Sequence, residues 1–295
     1  MQLTLKSGWT LLHQTVLAWL DNYCPSMGAA LAYYTLFSLA PLMIIVVSVA
    51  GMLFGAEAAR GEIEAQLVSL MGTAGARAVQ DLLASVRQPS EGAVATGIGV
   101  TLLFLGSTSV FAELQNAFDR IWHAPASWHG STWLILLRTR LLSFGMVLAI
   151  GFLLMVSLLF SAALALMGHW LEPMFGAWLT LATFCNAVVA FALLTALFAL
   201  IYKVMPRVRV QWRDVWTGAL FTATLFSFGR YLIGLYIGRS GIVSGYGAAG
   251  SLVVILLWVY YSAQIFLLGA QFTWVYANNF GSRKPVTDQA DTSTA

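Results

Sequence analysis

Charge is what this sequence has least of. Only 9% of its 295 residues are Asp, Glu, Lys or Arg, against about 25% in a soluble globular chain. Because 59% are hydrophobic, a water-solvated domain is excluded and a bilayer is the implied solvent. Cysteine is almost absent: Cys24 and Cys185 are the two, which suggests no disulfide framework and no metal cluster. The four histidines, His13, His123, His129 and His169, are scattered, and none makes H-E-x-x-H. MGTAGARA lacks the G-K-[ST] ending of a phosphate loop, and Ile242 stands where G-x-S-x-G would need glycine before Ser244. These absences imply no enzyme chemistry, no metal and no cofactor.

What is present is long apolar runs. Residues 141–167, 178–201 and 252–277 each hold a stretch of about 20 residues without an ionisable group, enough to cross roughly 30 Å of hydrocarbon. Residues 27–54, 94–111 and 215–237 are also long enough, the last with one charge. The fold class is therefore an all-α polytopic membrane protein with six transmembrane helices. It forms one membrane domain over residues 1–280, with a disordered cytoplasmic tail over 281–295.

Residues 1–23 lack the uninterrupted apolar segment of a cleavable signal. Leu5, Trp9, Leu12, Val16 and Leu20 recur instead at helical spacing. This predicts an amphipathic helix, either lying on the membrane surface or packed in water on the cytoplasmic ends of the bundle. Between spans one and two, the spacing of Ile63, Leu67, Leu70 and of Val79, Leu82, Leu83, Val86 predicts two short helices split near Gly72 to Gly75. They would act as a connector or cap the outer mouth. After the second span, SVFAELQNAFDRIW continues as a helix into the interface.

Orientation follows from basic residues in short loops. With both termini cytoplasmic, the inner segments hold Lys6, Arg120, Arg138, Arg140, Lys203, Arg207, Arg209, Arg213, Arg283 and Lys284. The outer ones hold Arg60, Arg77, Arg87 and Arg239. This asymmetry favours termini inside, and it also accounts for the one basic cluster, residues 203–213, without nucleic acid.

Arg230 is the charge left within a span. An arginine at the bilayer centre costs about 2.5–3.5 kcal/mol on insertion scales, and Arg230 lies about 10 Å inside the outer end of span five. Asn186, Tyr260, Tyr261 and Gln264 fall at comparable depth and are its expected neighbours in a site for an anionic group. A second polar layer nearer the cytoplasm comprises Glu113, Asn116, Gln271, Tyr33 and Tyr34. Each amide or hydroxyl could instead be interhelical glue, worth about 0.6 kcal/mol. Gly234 and Gly238 make a G-x-x-x-G, the spacing of close helix approach. Gly241, Gly245, Gly247 and Gly250 suit the turn into span six.

Four ordered motifs carry a resemblance: GAALAYYTLFSLAPLM, LQNAFDRIWHAP, VMPRVRVQWRDVWTGALFTATLF and YGAAGSLVVILLWVYYSAQIFLLGAQF. They resemble the YihY/BrkB family of bacterial inner-membrane proteins, formerly labelled ribonuclease BN. The resemblance implies six spans, cytoplasmic termini and a location in the bacterial inner membrane. It also implies links to serum resistance and to export of envelope lipid or lipopolysaccharide. Members commonly have Glu at the position of Gln271, so a proton or ion carried there in relatives is not carried in the same way here. The expected function is transporter-like, binding or moving an anionic envelope lipid or other anionic solute, with membrane lipids as partners and no nucleic acid. A non-transporting envelope scaffold is the alternative, and a membrane-tethered tRNA-processing ribonuclease a third.

Overall fold

The computed structural model describes residues 5–54, 56–86, 109–125, 156, 178–240, 245–246 and 249–284. Regular structure among them is helical throughout. We label the helices α1 (Leu5–Asp21), α2 (Cys24–Phe54), α3 (Ala56–Val86), α4 (residues 109–121), α5 (Trp178–Val204), α6 (Trp212–Arg239) and α7 (Gly250–Asn279). Among the described residues three stretches are long and apolar enough to cross a membrane: Thr183–Val204, Trp212–Arg239 and Gly250–Asn279. They coincide with the spans expected over 178–201, 215–237 and 252–277, and the helices extend two to three residues past most of those limits. The spans expected over 94–111 and 141–167 lie outside the described residues except for 109–111 and 156.

α2 is a 31-residue helix that starts three residues before the expected span. Pro25 sits in its first turn, where a missing N–H leaves no helical bond unmade. Tyr23 takes a left-handed φ of 56° just before it, which lets α1 end and α2 begin within two residues.

The chain divides into two compact units. In the first (Met1–Ala18, Asp119–Ala223 and Gly269–Ala295), the contact between α6 and α7 is built from a repeated pentapeptide. Gly218-Ala219-Leu220-Phe221-Thr222 on α6 meets Gly269-Ala270-Gln271-Phe272-Thr273 on α7. Thr273 lies directly on Gly218 and Thr222 directly on Gly269, so each threonine fills the notch left by the other helix's glycine. Each threonine hydroxyl donates to the glycine carbonyl of its own helix, Thr222 to Gly218 and Thr273 to Gly269, both at 2.7 Å. Phe221 and Phe272 stack at 4.1 Å between centroids. The reciprocal seating shows that the two segments run antiparallel. Tyr202 Oη of α5 stands 2.9 Å from Thr222 Oγ1. A threonine hydroxyl has one proton; with it given to Gly218, Tyr202 is the donor.

Among the described residues, the ends of this unit expected to be cytoplasmic carry a network of charges. Arg207 pairs with Asp119 at 3.1 Å. Lys203 donates to the Val210 carbonyl and covers the Trp212 ring, closing the turn between α5 and α6. Asp214, in the first turn of α6 and only 2% exposed, accepts bonds from the Ser282 backbone N–H and hydroxyl. Arg283 donates to the Arg209 carbonyl and lies over the Trp122 ring. Residues 281–284, the start of the expected tail, are thus tied to the bundle.

The second unit (Trp19–Phe118 and Thr224–Leu268) has a core of Met71, Ala78 and Val79 from α3, Ile233 and Ile237 from α6, and Val254 and Ile255 from α7. The segment expected between the first two spans therefore contributes to the core, and is more than the connector that was one of its two expected roles. α3 is broken at Gly72, whose φ of 73° and ψ of 174° are open essentially to glycine alone. The break falls within the 72–75 interval expected from sequence.

Candidate functional site

The stripe Ser227, Arg230, Tyr231, Gly234, Leu235, Gly238 recurs at helical spacing on one side of α6. Opposite it, α3 contributes Val68, Met71, Gly72, Thr73 and Ala74, the residues around the break. Between them lies an open groove of about 530 Å³. Arg230 is the one charged residue among those lining it, and Ser227, Thr73 and Tyr231 supply hydroxyls. The remaining wall is apolar or glycine.

Gly234 and Gly238 shape this groove, and the close approach expected of their G-x-x-x-G does not occur among the described residues. A Cβ at either would meet nothing within 4 Å. Helix contact is made by other glycines. At Gly229, a Cβ would come within 2.5 Å of Ile265 Cδ1 and 2.9 Å of the Tyr261 hydroxyl; Gly218 and Gly269 seat the threonines described above. Approach on one side of α6 and open space on the other are what set Arg230 at a groove edge, on an exposed position.

The residues expected beside Arg230 are distributed otherwise. Tyr261 packs on Gly229, the residue before Arg230. Gln264 lies on Gly28 and donates Nε2 to the Pro25 carbonyl at 3.2 Å, pinning the first turns of α2. Tyr260 is half-buried on α7, and none of these three lines the groove. Asn186 is exposed on α5 and belongs to the first unit. Of the expected cytoplasmic layer, Gln271 is fully buried in the first unit at the variable position of the second pentapeptide. Glu113, Asn116, Tyr33 and Tyr34 belong to the second unit. Glu113 is half-buried and Asn116 exposed on α4. Tyr33, 56% exposed, contacts the Tyr34 ring edge-on at 5.7 Å and Phe37 at 4.9 Å.

Sequence reasoning missed Thr73, Ser227 and the open role of Gly234 and Gly238. The 227/230/234/238 spacing was the signal for the last three; nothing local marked Thr73. It also missed the ion pair of Asp119 and Arg207. Burial pushes the Asp119 carboxyl above the ordinary aspartate range, outweighing the downward pull of the Arg207 charge and hydrogen bond. No group of three or more His, Cys, Asp or Glu able to hold a metal occurs among the described residues.

The family model described as Virulence factor BrkB matches residues 15–293. The chain belongs to that family. Among its relatives, a UPF0761 membrane protein of Pseudomonas aeruginosa (strain LESB58) is 29% identical over 248 residues, covering 83% of this chain and 57% of the relative. One from Tolumonas auensis is 27% identical over 278 residues, covering 90% and 86%. A third, from Verminephrobacter eiseniae, is 39% identical over 84 residues, covering 28% and 20%. The chain thus spans 57% of the length of the Pseudomonas relative. No solved structure matches it. Family membership and the apolar helices together make this a membrane protein.

Proposed function

We propose that this BrkB-family chain is a transporter-like protein of the bacterial inner membrane that binds an anionic lipid, or another anionic solute with an apolar part, in the Arg230 groove. The observation that carries the reading is the lining of that groove: a single permanent cation and three hydroxyls set in an otherwise apolar and glycine wall. A guanidinium offers paired donors to phosphate or carboxylate oxygens. Met71, Val68 and Leu235 offer a surface to the ligand's apolar portion. The absent side chains of Gly234 and Gly238 leave it room. With both termini cytoplasmic, this groove belongs to the outer half of the protein, and the α3 segment around Gly72 stands at its edge. No cofactor and no catalytic step are needed.

The test is lipid retention by the full chain purified into nanodiscs of mixed phosphatidylglycerol and phosphatidylcholine. Wild type enriches phosphatidylglycerol. Arg230→Gln removes a charge-assisted contact worth about 1.5–3 kcal/mol, roughly a tenfold or greater loss of that preference. Arg230→Lys keeps part of it, and Gly234→Leu lowers retention by filling the groove. Undiminished phosphatidylglycerol preference in Arg230→Gln overturns the assignment.

A further inference from the structure

α1 has three faces where an ordinary surface helix has two. At about 100° per residue, Leu11, Thr15 and Ala18 share one sector. Leu11 and Thr15 are buried, and Leu11 packs with Phe272 and Val275 near the end of α7, with Phe221 and Ala18 alongside. Thr15 can be buried because its hydroxyl donates to the Leu11 carbonyl at 2.8 Å. Thr10, Gln14 and Asp21 occupy a second, polar and exposed sector, from which Gln14 accepts a bond from Asn279.

The third sector is exposed and yet is the most apolar. Trp9 is 73% exposed, Leu12 42%, Val16 46% and Leu20 51%, and these four fall within an arc of about 80°. No Asp, Glu, Lys or Arg occurs from Ser7 to Leu20. A helix solvated on every side but its core face has no reason to carry large apolar groups there. A helix set where protein, hydrocarbon and water meet needs all three sectors. The candidate span that packs on α1 through Phe221 also carries exposed apolar surface: its Trp216 and Leu220 are 48% and 51% exposed.

We infer that α1 is an in-plane membrane helix, its Trp9–Leu12–Val16–Leu20 face inserted at the boundary of headgroups and acyl chains of the bilayer that the spans cross. The occupant of this face is lipid. Packing of α1 on a candidate span that itself exposes apolar surface selects lipid over a soluble partner, and tryptophan at such a boundary is a common anchor. This decides between the two placements open from sequence, surface-lying and water-solvated, and is independent of what the Arg230 groove binds.

Spin labels report the difference directly. In the full chain reconstituted in phosphatidylcholine–phosphatidylglycerol liposomes, with Cys24 and Cys185 replaced by Ala, single cysteines are placed at Leu12, Val16, Leu20, Thr10 and Asp21. Labels at 12, 16 and 20 are expected to collide with oxygen more than with a water-soluble nickel chelate, and labels at 10 and 21 to show the reverse. Equal, water-like access at all five positions overturns the inference. So does shielding of 12, 16 and 20 from both reagents, which would mean a protein partner. A second readout avoids the cysteine changes. Acyl chains brominated near the headgroup should quench more tryptophan fluorescence in wild type than in Trp9→Phe; equal quenching overturns the inference too.

Discussion

Replacing Gly269 by alanine and replacing Gly234 by alanine should move stability in opposite directions, although both are single methyl additions within long apolar helices. At Gly269 the new Cβ would overlap Thr222 Oγ1 and approach the Tyr202 hydroxyl to 2.6 Å. The β-branched threonine cannot swing aside cheaply, because its rotamer is held by the bond to the Gly218 carbonyl. Overpacking of this kind costs about 1–3 kcal/mol, and losing the interhelical hydroxyl contact adds about 0.6 kcal/mol. Removing a mid-helix glycine returns about 0.5–1 kcal/mol. Gly269→Ala is therefore destabilising by roughly 0.6–3 kcal/mol. Gly234→Ala meets open space and keeps only the propensity gain of about 0.5–1 kcal/mol. Equilibrium unfolding in mixed dodecylmaltoside and SDS micelles, followed by tryptophan fluorescence, separates the two. Adding Thr222→Ala to Gly269→Ala removes the clashing oxygen, so the double mutant should be more stable than the sum of the singles by about 0.5–3 kcal/mol. Equal effects at Gly269 and Gly234, or an additive cycle, would refute the reciprocal glycine–threonine seat.

Gly72→Ala forces a side chain into a backbone region that suits glycine alone, and should cost about 1–3 kcal/mol in the same assay. Gly61→Ala, in the unbroken part of α3 with open space around it, should cost nothing. Asp214→Ala strips the Ser282 N–H and hydroxyl of their shared acceptor. It should destabilise by about 1.5–3 kcal/mol and speed tryptic cleavage after Arg283, with Ser282→Ala giving a smaller effect. For Asp119, burial raises the folded-state pKa above that of the unfolded chain. Its contribution to stability is then fully present below the unfolded value, near pH 4, and is lost as pH rises through the raised folded value. Asp119→Asn should flatten the pH dependence of unfolding in that interval. At neutral pH it should shift stability by no more than about 1 kcal/mol, because the Arg207 pair is partly exposed.

The particular residues show why some features were legible in sequence and others not. Helices α5, α6 and α7 follow from runs of apolar residues longer than a bilayer is thick, a property each segment carries alone. The break at Gly72 was legible for the same local reason: a glycine pair interrupts two helical periodicities. Helix rise gave an expected depth that set Gln264 and Tyr261 near the level of Arg230, but it carried no information on azimuth. Gln264 turns to Pro25 and Gly28, Tyr261 to Gly229, and Arg230 to a groove, because rotation of each helix is settled by which neighbour its small residues admit.

The amino-acid sequence by itself determined that this is a helical membrane protein of the BrkB family, since composition, run length and ordered motifs need no knowledge of packing. Which glycines touch a neighbour was decided only in three dimensions. Gly234 and Gly238 satisfy a packing pattern and yet border empty space, whereas Gly218 and Gly269 earn close contact because a threonine on the antiparallel partner stands opposite each. The pentapeptide recurs in plain view in the sequence, but its meaning is a register between α6 and α7. A register is a property of two surfaces in contact, and neither segment contains it alone.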